Sequence, residues 1–108
     1  MSKYGNLKTE IDGIRFDSRH EAYRYTELKL MERTGLISDL RLQVPYELIP
    51  PQRTKKGRYI REVRYVADFV YTQNGETVVE DAKGFRTKEY AIKWKLMLER
   101  FGIEIKEV

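Results

Sequence analysis

The chain has no cysteine, a single histidine, one tryptophan and three prolines among its 108 residues. Lack of cysteine rules out disulfides, thiol nucleophiles and iron-sulfur clusters. With His20 the sole imidazole, the common Cys/His zinc sites and Ser-His-Asp machinery are excluded as well. Any metal must therefore be a hard cation held by carboxylate oxygens. Also missing are a run of about eighteen apolar residues and an apolar amino-terminal stretch, so neither a membrane span nor a secretory leader is expected and the cytoplasm is the expected compartment. No repeat, low-complexity tract or shift in composition divides the chain, and residues 1–108 read as one domain with residues 1–16 as an amino-terminal arm and hairpin.

What the chain does have is charge: 35% of residues are charged, the net charge is +4 and the pI is about 9.3. That balance fits a nucleic-acid partner without requiring one. Its distribution says more. Basic residues recur at Arg53, Lys55, Lys56, Arg58, Arg61 and Arg64, and again at Lys83, Arg86, Lys88, Lys93 and Lys95, with tyrosines between them.

The pattern of elements is readable from spacing. Asp12-Gly13 between Ile11 and Ile14 predicts a small hairpin over residues 8–16. Ser18 followed by Glu21 has capping-box spacing, and Ala22, Tyr25, Leu28 and Met31 form a helical stripe up to Gly35. Leu40, Leu42, Val44, Tyr46 and Leu48 then alternate at period two, a strand expected to bend at Pro45 and to stop at Pro50-Pro51. After a basic turn at residues 52–57, a long strand is expected over residues 58–72. Asn74-Gly75 marks a tight turn, and a third strand is expected over residues 77–83. Thr87 caps a second helix with Tyr90, Trp94, Met97, Leu98 and Phe101 on its core face, Gly102 ends it, and residues 103–108 supply a last strand parallel to the third. The expected fold is α/β: an αβββαβ core with a mixed sheet flanked by helices.

With Asn74 and Gly75 as the loop, Gln73 pairs with Glu76, and counting back in register sets Asp68 opposite Asp81. Alternation turns Asp81 and Lys83 toward the face of Asp68 and Glu80 toward the other. Two carboxylates about 5 Å apart repel by roughly 3 kcal/mol at an effective dielectric near 20. Lys83 offsets part of this, and a divalent cation would offset the rest. A solvent-facing aspartate pair balanced by neighbouring lysines and arginines is the plain alternative. A one-residue bulge would exchange Glu80 for Asp81.

Asp68, a hairpin and then Asp81-Ala82-Lys83 resemble the D…(D/E)xK signature of the PD-(D/E)XK nuclease superfamily. Through FDSRHEAYRYTELK, ISDLRLQVPYELIP, YVADFVY and VVEDAKGFRTKEY, nearly the whole chain is similar to a family of short phage and prophage proteins placed in that superfamily. The resemblance implies a restriction endonuclease-like fold and a Mg²⁺-dependent DNA endonuclease in phage DNA metabolism inside a bacterial host, with Mn²⁺ able to substitute. It implies that Asp68 and Asp81 bind the metal, that Lys83 orients the attacking water and stabilises charge on the phosphate, and that Glu21 is a fourth catalytic residue and metal ligand. Glu21 has a competing role as the reciprocal cap of Ser18. Gln43 matches a glutamine of related sequences, with an exposed strand residue as the equal alternative. Gln43, Arg53, Lys55, Lys56, Arg86 and Lys88 are the candidate nucleic-acid contacts.

By analogy with Holliday junction resolvases, branched DNA is the expected substrate and a homodimer the expected assembly. The alternative function is a catalytically inactive DNA-binding accessory or packaging factor with the same fold. His20, in the first helical turn, reads as a solvent-facing or phosphate-contacting residue.

Overall fold

A computed structural model describes residues 9–82 and 85–108. Two short strands, β1 (Thr9–Ile11) and β2 (Ile14–Phe16), form the expected hairpin around Asp12-Gly13. The first helix, α1 (Arg19–Arg33), starts where the Ser18 side chain accepts the Glu21 amide at 3.1 Å. It buries Ala22, Tyr25 and Leu28, the stripe expected from their spacing. The strand β3 (Ser38–Ile49) follows, then a ribbon of β4 (Gln52–Arg53) and β5 (Tyr59–Ile60), then β6 (Val63–Gln73) and β7 (Glu76–Asp81). The second helix, α2 (Lys88–Phe101), is capped by Thr87 and ended by Gly102 at φ 65°, and β8 (Lys106–Glu107) closes the chain.

The fold is α/β, with a mixed four-stranded sheet in the order β3-β6-β7-β8 and a parallel β7–β8 pair. Setting aside the two small hairpins, the chain runs α1, β3, β6, β7, α2, β8, the αβββαβ order that spacing predicts. One apolar cluster (Phe16, Ala22, Tyr25, Leu28, Ile37, Phe69, Tyr71) lies under α1, and another (Leu48, Tyr65, Ala67, Val70, Val79, Tyr90, Met97, Ile105) lies under α2. The helices therefore cover opposite faces of the sheet.

The cluster membership contains an irregularity. Residues 65, 67, 69 and 71 of a regular strand share one face, yet Tyr65 and Ala67 pack under α2 while Phe69 and Tyr71 pack under α1. In β3, Val44 and Tyr46 lie with the α2 cluster, and Leu40 and Leu42 with the other. Both strands change phase at one level, because Leu42 pairs with Phe69 and Val44 with Ala67, which sets Gln43 beside Asp68. Gln43 has φ 53°, a left-handed conformation that a non-glycine residue adopts only at a cost of about 1–2 kcal/mol.

Four expectations are corrected. The bend expected at Pro45 falls at Gln43. Pro45 itself pairs with Val66 on an edge strand, where a missing amide is tolerated. The single strand expected from Arg58 is two, because β5 leaves the main sheet to pair with β4. The third strand stops at Asp81, and Lys83, its expected end, lies outside the described residues. On α2, Leu98 and Phe101 are 45% and 41% exposed rather than core, and the Phe101 ring stands edge-on to Tyr46 of β3 at 5.4 Å.

Glu80 is fully buried on the α1 face. Arg24 of α1 meets it with two parallel bonds, Nε to Oε1 at 2.8 Å and Nη2 to Oε2 at 2.6 Å, and the Tyr71 hydroxyl donates to the same carboxylate. Removing one member of such a pair leaves the other buried and uncompensated. Glu80→Ala is expected to lower the unfolding free energy by about 3 kcal/mol in urea titration, while Glu76→Ala, at the exposed hairpin end, changes it by less than about 0.5 kcal/mol.

Candidate functional site

The ladder between β6 and β7 runs from Gln73↔Glu76 to Phe69↔Glu80, the register that Asn74-Gly75 predicts. Asp68 and Asp81 come next, where the ladder ends. There Asp68 turns its carboxylate to the β7 side and Oδ2 accepts the Ala82 amide at 2.8 Å. Asp81, 3% exposed, points to the α2 face, where its Oδ2 accepts the Tyr65 hydroxyl at 2.6 Å. Glu80 and Asp81 are therefore divided between the two faces, and the possibility that Glu80 takes the place of Asp81 is resolved by its enclosure against Arg24 and Tyr71.

Glu21 reaches the same place from the first turn of α1. Its Oε2 accepts Gln43 Nε2 at 3.3 Å, and the same amide nitrogen stands 3.3 Å from Asp68 Oδ1. The Ser18 cap uses the Glu21 backbone amide, and the Glu21 carboxylate is turned to Gln43. Gln43 is an exposed strand residue, and its side-chain amide nonetheless ties helix to sheet.

Glu21, Asp68 and Asp81 border one open cleft of about 410 Å³, together with Arg64, Tyr65, Thr87, Glu89, Tyr90 and Lys93. Burial, then the negative charges of Asp68, Asp17 and Asp81, push the Glu21 carboxyl up to about 7. Burial and the hydrogen bond to Asp81 push the Tyr65 phenol up, so it stays a donor. Among the described residues, no group of three or more Asp, Glu or His is near enough to hold an ion unaided. The three carboxylates share a cleft without forming a closed cage.

Of the candidate nucleic-acid contacts, Gln43 lies between the site carboxylates. Arg53, Lys55 and Lys56 are exposed on the β4–β5 ribbon, Lys88 is exposed at the start of α2, and Arg86 is paired with Glu107 at 3.2 Å. Among the described residues, the basic ones on the cleft are instead Arg64 and Lys93. Both stand in the basic runs of the sequence, but strand parity and helix spacing alone did not separate them from their neighbours. Tyr65, the donor to Asp81, carried no signal beyond an aromatic in a strand. His20 is exposed, with Nε2 2.6 Å from the Val108 carbonyl oxygen.

A family model described as "Protein of unknown function (DUF1064)" matches residues 1–107. The chain belongs to this family. No curated protein and no solved structure matches it. The family's description assigns no activity, so the cleft is interpreted from its own geometry. No helix among the described residues is long and apolar enough to cross a membrane.

The raised Glu21 value has a consequence for stability. The folded chain holds this proton more tightly than the unfolded chain, so this group's contribution is most favourable at low pH and is lost as pH rises from 4.5 through about 7. Glu21→Gln is expected to remove that loss and raise stability above about pH 8 by about 2 kcal/mol, discounted for the water that reaches the cleft. Urea midpoints of both chains across the pH range check this, and parallel pH profiles would sink it.

Proposed function

We propose that the protein is a magnesium-dependent DNA endonuclease that hydrolyses phosphodiester bonds at the cleft of Glu21, Asp68 and Asp81. The observation that carries this reading is the convergence of Glu21, Asp68 and Asp81, from α1, β6 and β7, on one cleft that Glu89 of α2 also borders and that Arg64 and Lys93 rim. The similarity of Asp68 and Asp81-Ala82-Lys83 to the PD-(D/E)XK signature supports it.

The donor set suits a hard cation, being all oxygen. Mg²⁺ keeps several waters and binds through one or two carboxylates together with substrate phosphates, so two aspartates bordering one cleft suit it without a third close ligand. Asp68 and Asp81 would hold it, with Glu21 beside them, and when bound it supplies Lewis-acid stabilisation of charge on the phosphate and a lowered pKa for water. Tyr65 fixes one oxygen of Asp81, and Gln43 fixes Glu21 against Asp68. Arg64 and Lys93 neutralise phosphate charge at the cleft rim. Lys83, two residues beyond Asp81 in sequence, is assigned the remaining positive charge, which orients the attacking water and stabilises the pentacovalent phosphate.

One cleft cuts one strand, and a two-fold dimer would bring two clefts to two strands. Together with the likeness to junction resolvases, this favours branched DNA as substrate and a homodimer as the working form.

The test is cleavage of labelled four-way junction, flap, single-stranded and duplex DNA with Mg²⁺, Mn²⁺ or EDTA. Wild type is expected to cut one of these only with metal, and Asp68→Asn, Asp81→Asn and Lys83→Ala to lose at least about a hundredfold in rate. Absence of cutting by wild type on every substrate, with DNA still bound, would overturn the enzyme and leave a DNA-binding accessory factor.

A further inference from the structure

The positive charge of this protein is concentrated in one segment. Residues 52–64 hold six basic residues against one acidic, a surplus of five, which exceeds the net +4 of the entire chain. The remainder is therefore slightly acidic. Most of this segment is the β4–β5 ribbon and its root, and every residue from 50 to 61 is exposed.

The ribbon is shaped by its own bonds rather than by packing on the sheet. Gln52 pairs with Ile60 and Arg53 with Tyr59. Thr54 N donates to Arg58 O at 2.9 Å, Gly57 N donates to Thr54 O at 2.9 Å, and Thr54 Oγ1 accepts Arg58 N at 3.0 Å. Arg53 is committed internally, donating to the Gly57 carbonyl at 2.9 Å with its guanidinium 5.4 Å from the Tyr59 ring centre. Gly57 sits at φ 87°, which the turn requires and a side chain would strain. By contrast, Lys55, Lys56, Arg58 and Arg61 make no side-chain ion pair or hydrogen bond among the described residues. A hairpin this short has little stability of its own, and Lys55, Lys56 and Arg58 lie exposed along a tied, narrow ribbon with Arg61 at its root.

The path continues inward. Arg61 and Arg64 line an open groove of about 480 Å³, which shares Arg64, Val66, Glu89 and Lys93 with the carboxylate cleft. Arg61, Arg64 and Lys93 thus carry positive charge from the root of the ribbon to the site, with Glu62 and Glu89 beside them on the groove.

We propose that the β4–β5 ribbon is a docking element for duplex DNA that lies in one groove, with Arg61 and Arg64 at its root leading a strand toward the carboxylate cleft. The major groove, about 12 Å wide, admits a two-stranded ribbon, and cations on such a ribbon reach the phosphates on either side. A single strand offers no groove for it. The proposal rests on the nuclease reading for the purpose of the path, but its test does not require cutting.

The experiment is fluorescence anisotropy of the full chain in EDTA, over a range of salt, with a labelled duplex and with one of its strands alone. Wild type is expected to prefer the duplex. The combined variant Lys55→Ala/Lys56→Ala/Arg58→Ala, its folding checked by circular dichroism, should lose at least about tenfold in duplex affinity, and the slope of log K against log salt should fall by about 2–3. Gly57→Ala keeps every charge but strains the turn, and it should lose the duplex preference while retaining single-strand binding.

An unchanged duplex affinity and slope in the folded triple variant would overturn the proposal. So would an equal loss on single strands, which would reduce the ribbon to a diffuse charge patch, or polyglutamate binding as tightly as the duplex, which would point to an acidic protein partner. Ribbon-dependent duplex binding without metal-dependent cutting would remove the nuclease and keep the ribbon. Cutting with ribbon-independent binding would do the reverse.

Discussion

The buried Glu80 carboxylate is the point to which the rest of the sheet's assembly refers. Removing a carboxylate from water costs several kcal/mol unless charge and hydrogen bonds are returned to it. Here Arg24 returns them in a two-pronged pair, the Tyr71 hydroxyl adds a third bond, and Lys106 stands 3.9 Å away. Those partners come from α1, β6 and β8, so one side chain on β7 collects three other elements. The net energy of such a pair is small against an apolar replacement. Its consequence is positional: Arg24 lies one helical turn after Glu21, and the pair that seats α1 on β7 also fixes where Glu21 enters the cleft.

Asp81 follows Glu80 directly and faces the other way. Adjacent acidic residues on one strand would repel if they shared a face, and alternation separates them by the thickness of the sheet. Each then has its own tyrosine, Tyr71 for Glu80 and Tyr65 for Asp81, with donor hydroxyls kept protonated by burial. Those tyrosines lie six residues apart and would share a face of a regular strand. They reach opposite faces because β6 changes phase at Asp68, and β3 does the same beside it at Gln43. The strain at Gln43 is therefore not incidental. It allows one strand pair to serve both faces and places an amide between Glu21 and Asp68.

This explains which parts of the structure were legible in the sequence. Asn74-Gly75 set the register, because that turn admits one pairing, and register carried Asp68 to the level of Asp81. The helix stripes, the Ser18 and Thr87 caps and the element order follow from local periodicity in the same way. The phase change did not, since a left-handed glutamine is dictated by what lies around it and leaves no mark in composition. Nor did the assignment of Arg64 and Lys93 to the cleft, which depends on how α2 lies over β6. Leu98 and Phe101 fit the helical stripe, but a stripe says which side faces inward and not how deeply each residue is covered.

The distribution of charge makes a further demand. A phosphate brought near Glu21, Asp68 and Asp81 meets about 3 kcal/mol of repulsion from each ionised carboxylate at 5 Å and an effective dielectric near 20. Arg64 and Lys93 at the rim offset part of this, and on the proposed reading a divalent cation and Lys83 offset the remainder. DNA would consequently be attracted by a surface distinct from the one that acts on it. Residues 52–61 hold five basic residues and no acidic one, more than the net +4 of the chain, and none of them borders the cleft, so on the proposed reading attachment would proceed without metal while the carboxylates still repel the scissile phosphate. On that reading the cation would be the condition for approach as well as for chemistry. That ordering would hold the strand close to a site that cannot yet engage it, and it would follow from where the charges lie rather than from any moving part.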